Sequence, residues 1–334
     1  MWEKRSFARV VACASLAVLP LAANAQTELR LINGFDARQT ASRLVVVELA
    51  ERVKNASNGK LTIKINGPEV AKPAEQLQPT SRGLFDLMFT TQVYHSGTTS
   101  LGIAAYAMKP DPKGWRENGI MDIFDKDYQR FNLKLLALVF GEAADTGAYQ
   151  VVLKKPIGPS GDLAGLKLRG TKTYEPFIKA LGGTVVLLTG GEIYTALERG
   201  VIDGAAWPVN GAIDFKWYEI AKYMTRPTFG HSSYTLTMNM DKFKALSEAD
   251  RNLLVEEAKK AEYWGMEAMD KQVQSDVAKM AGLGMIETKI DKAKFDETMA
   301  KYYGGLWEVA AEHKGSADAA KRLHELAKKT GHAL

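Results

Sequence analysis

The sequence predicts an α/β protein of two similar lobes joined by a long shared helix. Three observations carry this reading. Strand-like alternation and helix-like 3.6-residue spacing take turns along the chain. A short pattern recurs, Arg82-Gly83-Leu84-Phe85-Asp86 and Arg199-Gly200-Val201-Ile202-Asp203, each reading as a helix end, a glycine suited to a left-handed cap, two apolar residues and an Asp that opens a strand. Third, 334 residues correspond to about two domains, yet one uninterrupted helix is expected from Ser247 to Gly282, on the order of 50 Å long at about 1.5 Å per residue. That exceeds one small lobe, so the helix is expected to pack on both.

The elements follow in order. Leu29-Arg30-Leu31-Ile32-Asn33 reads as a strand. Residues 41–56 place Leu44, Val47, Leu49 and Val53 at helical spacing, and Asn58-Gly59 stops them. Residues 60–65 alternate as a half-buried strand. A helix over 73–82 leads to a strand at 86–91, and a helical stretch near 115–127 precedes strands at 133–140 and 148–153. The second half repeats the scheme: helix 174–181, strand 184–188, helix 192–199, strand 203–207. A strand at 233–239 should cross back between the lobes. Ser247 caps the long helix, with Asp250 three residues on. Its expected apolar stripe is Leu246, Ala249, Leu253, Ala258, Ala261, Trp264, Ala268, Met269, Val273, Val277 and Met280. Residues 292–329 read as further amphipathic helix.

Residues 1–25 read as an address rather than structure. Lys4, Arg5 and Arg9 precede a short apolar run, and Ala23-Asn24-Ala25 forms a cleavage site before Gln26. The run is too short to span a bilayer. Export to the periplasm with cleavage after Ala25 is therefore expected. The segment removes Cys13, the only cysteine, and the net charge of +5 falls to +3, because residues 1–25 hold three basic and one acidic side chain. The remaining excess is mild and forms no long basic block, which argues against nucleic acid or an anionic membrane as partner. No second apolar segment long enough to span a bilayer occurs, so the mature chain should not be membrane-embedded.

No nucleophile elbow, P-loop or metal-ligand His pair occurs, and Asn33-Gly34-Phe35-Asp36 is too weak for a dinucleotide turn. No catalytic residue, cofactor or metal is expected. His313, His324 and His332 fall in the charged tail and read as solvated surface, while His95 and His231 stand isolated. Arg169 differs, since it ends a short strand before a helix. Strand carboxyl ends face the ligand crevice in α/β lobes, and Arg can hold a carboxylate bidentately. The alternative is a surface charge. Trp207 at a comparable strand end, Tyr149 and Tyr94 are each either core or ligand wall. Gln92 is either a loop polar residue or a neutral hydrogen-bonding group.

Three stretches carry a resemblance: Gly165-Leu166-Lys167-Leu168-Arg169, Phe177-Ile178-Lys179-Ala180-Leu181-Gly182, and the more specific run from Gly191-Glu192-Ile193-Tyr194 through Arg199-Gly200-Val201-Ile202-Asp203-Gly204. With Trp217-Tyr218-Glu219-Ile220, Asn239 and Leu246-Ser247-Glu248-Ala249-Asp250, the chain resembles the DctP-like extracytoplasmic solute-binding proteins of TRAP transporters over nearly its whole mature length. The resemblance implies a two-lobed periplasmic binding protein, a Venus-flytrap with mixed sheets, hinge strands and a long helix spanning both lobes. One lobe would be 26–146 plus about 236–278, the other 147–235 plus about 279–334. It implies a monomer that is not an enzyme, which captures a small organic anion and hands it to TRAP permease membrane subunits. A binding protein of another transporter or sensor, or a secreted enzyme acting on organic acids, would be the alternatives. Arg169 falls where the family binds its carboxylate. Sialic-acid-type members have a second Arg where this chain has Tyr149 and an Asn where it has Trp207; keto-acid-type members do carry Trp there. Gly190 replaces an aromatic often found before the conserved Glu. Lys172 falls where a binding residue can occur and could hold a second anionic group. Residues 108–125 depart from the family pattern.

Overall fold

The alternating and apolar runs of the first half, joined by one strand from the second, build a five-stranded sheet, and the other runs of the second half build a six-stranded one. A computed structural model describes residues 26–141 and 148–334, so the expected export segment 1–25 lies outside the described residues. The first half comprises β1 (Thr27–Asn33), a π turn (Ser42–Val46) running into α1 (Val47–Ala56), β2 (Leu61–Asn66), α2 (Leu77–Ser81), β3 (Leu87–Thr90), α3 (Pro112–Glu117), α4 (Ile120–Gln129) and β4 (Leu133–Gly141). The second holds β5 (Tyr149–Leu153), β6 (Lys167–Gly170), α5 (Glu175–Ala180), β7 (Thr184–Leu187), α6 (Ile193–Glu198), β8 (Gly204–Pro208), α7 (Gly211–Asp214) and β9 (Tyr223–Arg226). Then come β10 (Ser232–Asn239), α8 (Met240–Ala245), α9 (Glu248–Gly282), β11 (Ile286–Lys289), α10 (Lys292–Glu312) and α11 (Ala317–Lys329).

Sequence and structure differ at small elements. The single helix expected near 115–127 is two, broken at Gly119, whose φ of +83° an L side chain adopts only at a cost. Strands β9 and β11 have only four residues each, and β11 is exposed at three of its four positions, so neither leaves a periodic trace.

The first sheet runs β2-β1-β3-β10-β4, with β10 antiparallel to both neighbours; the second runs β11-β9-β5-β8-β6-β7. The chain passes between sheets from β4 to β5 and returns from β9 to β10. The described ends of the first passage lie beside the second. Tyr149 N–H donates to Phe229 O at 2.9 Å, Ala148 N–H donates to Gly230 O at 2.8 Å, and Ser232 pairs with Gly141. The crossing strand read at 233–239 is β10, and β5 runs antiparallel beside β8 and β9.

Helix α9 serves both lobes. Ser247 Oγ accepts from Asp250 N–H, as its position predicts. Leu254, Ala258, Ala261 and Met269 pack with Val45, Leu49 and Val139 of the first lobe. Val273 and Met280 pack with Val152, Trp217 and Met224 of the second. The buried face is turned slightly from the expected stripe: Ala249 and Val277 are exposed, whereas the acids Glu262 and Asp276 are buried. An apolar-spacing argument assigns such acids to solvent. Glu262 is inside because Arg116 donates to it at 2.5 Å and Leu138 N–H at 2.9 Å. Gly265 lets β4 approach, since a Cβ there would stand 3.0 Å from Val139 Cγ1.

The tail requires a correction. The expectation puts all of 279–334 in the second lobe. Helix α10 instead packs on both α5 and the buried 3-10 segment Leu101–Ala107, and α11 packs on α4 and that same segment. The apolar side of α11, Ala320, Leu323 and Ala327, finds its cover in the first lobe, and His332 O accepts Lys109 N–H at 2.7 Å. The tail histidines are each half-buried, and two of them have specific partners: His324 stacks on Trp307 at 4.2 Å, and His332 meets Asp111 at 3.1 Å, while His313 accepts only an exposed hydrogen bond from Gly315 N–H. His95 and His231 are buried, and burial holds both rings near pKa 4, hence neutral.

Gly230 sits at the crossing with φ +61°, and a Cβ there would stand 2.9 Å from both Tyr149 Cδ2 and Tyr302 Oη. Gly59, with φ +78°, has open space around it. Gly59→Ala should therefore lose about 1 kcal/mol from backbone strain alone, and Gly230→Ala about 2–3 kcal/mol. Equilibrium denaturant titration measures both. Equal losses would mean that the Tyr149 ring yields freely.

Candidate functional site

Arg169 is the centre of the site, and the sheet order explains its geometry. Strand β6 lies between β8 and β7. From near its carboxyl end the Arg169 side chain reaches both neighbours: Nε donates to Leu188 O, just past β7, at 3.0 Å, and Nη1 donates to Ala206 O in β8 at 3.1 Å. The side chain is fully buried. Nη2 is buried without a hydrogen-bond acceptor, although the neighbouring Tyr174 side chain helps sustain the charge. Desolvation lowers the pKa of Arg169, with Tyr94, Tyr174 and Glu192 opposing it. A guanidinium stays protonated under any such shift that a fold tolerates. Among the described residues no carboxylate forms a salt bridge with it, and its cation lies 4.4 Å from the Trp207 ring centroid and 5.9 Å from that of Tyr174. A buried cation with one free fork nitrogen is a ready anion site.

Trp207 stands beside it on β8. Two glycines make room for the indole: a Cβ on Gly211 would come within 2.0 Å of Cδ1, and one on Gly190 within 3.0 Å of Cη2. Phe215 and Trp217 meet the ring edge-on at 5.9 and 5.6 Å. Tyr149 opens β5 and packs edge-on against Tyr174 at 4.7 Å. From the other lobe, the 3-10 turn Gln92–His95 brings in Tyr94, whose hydroxyl pKa is raised by burial and pulled back by the Arg169 charge. Phe35 arrives from the loop after β1, where Asn33 Oδ1 accepts Phe35 N–H at 3.1 Å and fixes the turn. Tyr234 of β10 packs edge-on to Phe35 at 5.3 Å.

These side chains enclose a chamber of about 40 Å³ between the lobes. Arg169, Trp207, Tyr149 and Tyr94 all line it. Two of the residues expected with them do not. Gln92 is buried one layer behind, donating to Ser233 Oγ at 3.0 Å and accepting from the Tyr106 hydroxyl at 3.2 Å. It supports the chamber wall instead of facing in. Lys172 lines an outer cavity of about 560 Å³, where it pairs with Glu312 at 3.3 Å and Glu175 at 3.7 Å. Its four-carbon stem leads it to those acids and away from Arg169. A second outer cavity of about 450 Å³ lies beyond Trp207. Sequence reading missed Phe35, Tyr174, Ser232 and Tyr234. The rule that found Arg169, a residue at a strand's carboxyl end, extended by two residues also points to Phe35 after β1.

The lobes are latched beside the chamber. Asp214, at the end of α7, accepts Thr40 N–H and Thr40 Oγ1–H at 3.0 Å each, and Arg43 stands 3.4 Å away. Thr40 and Arg43 belong to the first lobe and Asp214 to the second. Among the described residues no group of three His, Cys, Asp or Glu could hold a metal ion, and no helix is long and apolar enough to cross a membrane.

Residues 113–309, more than half of the chain, match the bacterial extracellular solute-binding proteins of family 7. The chain belongs to this family. It is a TRAP-type (DctP-like) solute-binding protein, as the sequence motifs indicate. It is similar to the outer membrane transporter protein TsaT of Comamonas testosteroni, with 25% identity over 81% of this chain and 82% of that one. It is also similar to the 2,3-diketo-L-gulonate-binding periplasmic protein YiaO of Escherichia coli, with 28% identity over 44% of this chain and 45% of that one, so it aligns with less than half of YiaO. Among solved structures, a TRAP periplasmic solute-binding protein of Desulfovibrio salexigens with bound orotic acid superposes with a TM-score of 0.76 at 19% identity, over 91% of this chain and 99% of that one. One from Bordetella bronchiseptica with bound mandelate gives 0.73 at 21%, over the same shares. These structures share the two-lobed fold.

Burial pushes the Asp214 carboxyl above its ordinary value of 3.8, against the pull of Thr40 and Arg43. Held in this buried contact, the carboxyl keeps its proton more tightly than one in water, so an opening of the lobes that exposed it would favour its charge while breaking its hydrogen bonds. Removing both differs from removing the charge alone. Asp214→Ala should release a bound solute about tenfold faster, the value of one or two buried hydrogen bonds, whereas Asp214→Asn should release it within about threefold of the native rate. Stopped-flow tryptophan fluorescence reads both rates. Equal rates in all three proteins would remove the latch from closure.

Proposed function

We propose that this family member is exported by residues 1–25, is cleaved after Ala25, and acts as a monomeric periplasmic receptor. It captures a small organic acid between its lobes and delivers it to a TRAP permease. Arg169 binds the carboxylate, Trp207, Tyr149 and Tyr94 form the wall, and Gln92 supports that wall from behind. The lobes are residues 26–146 with about 236–278, and 147–235 with 279–312, while α11 joins the first.

The observation that carries this reading is the free Nη2 of a fully buried Arg169. A cation removed from water and left without an acid partner costs several kcal/mol. Such a group is stable in a closed cleft when an anion completes it. The relatives fit: the similar structures carry orotic acid, mandelate, malonate and D-glucuronate, all organic acids. The chamber offers a buried guanidinium for charge, which favours capture of an anion.

A thermal-shift screen with organic acids tests the reading, because a ligand that binds only the native form raises the melting temperature by mass action. At least one acid should stabilise the native protein. Arg169→Ala should abolish that shift while melting no lower on its own, since it removes an unpaired buried charge. Arg169→Lys should weaken binding about 100-fold, having lost the planar fork. Unchanged affinity in Arg169→Ala would overturn the assigned role.

A further inference from the structure

The chamber around Arg169 differs from the spaces outside it in charge and in size. Among the described residues, no Asp, Glu, Lys or His lines it, and Arg169 is the one charged group there. Its hydroxyls are largely committed to each other. Thr91 Oγ1 and the Tyr106 hydroxyl share a hydrogen bond, Tyr106 O–H donates to Ser233 O at 2.9 Å, and Thr171 and Thr173 pair at 2.9 Å. The nearby cations lie outside the chamber: Lys172 pairs with Glu175 and Glu312, Arg38 with Asp36 at 2.8 Å, and Lys72 lines the outer cavity beyond Trp207. A second carboxylate held in the chamber would have no charged partner, at a cost that rejects it.

Trp207, with Gln39 and Tyr94, forms the partition. All three line both the chamber of about 40 Å³ and the outer cavity of about 450 Å³, and Trp207 is the largest of them. The outer cavity is charged, lined by Asp36, Arg38, Glu69, Lys72 and Glu192. The indole stands between the two because Gly190 and Gly211 carry no side chains, leaving it no need to rotate away. Its neighbours Phe215 and Trp217 brace it edge-on.

We infer that Trp207, seated against Gly190 and Gly211, limits the ligand to compact monocarboxylates with an uncharged body, and that dicarboxylates and sugar acids are excluded by this partition and by the lack of a second charge. The inference rests on Arg169 as carboxylate binder and adds which acids it accepts. With the indole removed, the chamber opens into the charged outer cavity, and a hydroxylated acid can extend there.

Calorimetry on the native protein with benzoate, 2-oxobutyrate, succinate and glucuronate tests this. The better of the two compact monocarboxylates should bind at least 100-fold more tightly than succinate or glucuronate. Trp207→Ala should narrow the gap to glucuronate at least tenfold while leaving succinate disfavoured. Gly190→Ala, whose Cβ would press on the far edge of the indole, is the milder variant and decides the matter if Trp207→Ala fails to fold. It should change the ratio of benzoate to 2-oxobutyrate affinity at least threefold. Native protein that binds succinate or glucuronate as tightly as the compact acids overturns the proposal. So do selectivity ratios that stay fixed in the folded variants. Binding of none of the acids in the wider screen of Arg169 would instead overturn the receptor reading, and this proposal with it.

Discussion

The guanidinium of Arg169 is the constraint on which the rest depends. A charge with no exposure to water needs every nitrogen answered, and two of its three are answered by backbone carbonyls at Leu188 and Ala206. Those carbonyls are in reach because β7 and β8 flank β6 and present their ends on one side. The parallel register, Arg169 opposite Val186 and Ala205, sets the distances. The tight cover of α5 over β6 follows from Gly170, where a Cβ would meet Val185 and Ile178 at 3.0 and 3.1 Å. The second lobe thus holds one Arg rigidly and leaves one nitrogen for something else.

The first lobe completes the site without adding charge. It supplies Phe35, Tyr94 and Tyr234 as rings and Ser232 and Ser233 as small polar groups. Its contribution depends on how the chain crosses between the sheets. Gly230 lets the return passage run against the Tyr149 ring, so Tyr149 and Tyr234 flank one cleft from strands of the two different sheets. The long α9 and the returning tail tie both lobes from behind, and the Thr40–Asp214 contact ties them in front.

Much of this was legible in the residues. Long alternating or apolar runs such as 61–66 and 133–141 became strands where expected, because register and burial are set locally by side-chain alternation. Arg169, Trp207, Tyr149 and Tyr94 were found from strand ends and family pattern, and they do converge. What was not legible depends on contacts across the fold. Glu262 and Asp276 look like solvent-facing acids until Arg116 and the backbone reach the former and Lys279 the latter. Lys172 occupies the right place in sequence, but its ammonium goes to Glu312, which lies 140 residues away in the chain. Helix α11 carries an apolar face of ordinary spacing, and nothing in that spacing says which lobe will cover it.

Closure and recognition then follow from one energy balance. In the open cleft, water solvates Arg169 and the rings. In the closed one, the free Nη2 loses water and gains no protein acceptor, a cost of several kcal/mol. Shifting a two-state equilibrium from 1:99 to 99:1 takes about 5.5 kcal/mol of differential affinity. In the proposed complex, a bidentate carboxylate on Arg169 would offset a cost of that order in a closed form alone, because in an open form the same pair would be screened by water. Burial of Asp214 disfavours its ionised form and so acts in the opposite sense to its hydrogen bonds with Thr40. On the proposed reading, one anion of the right size would then decide between open and closed lobes.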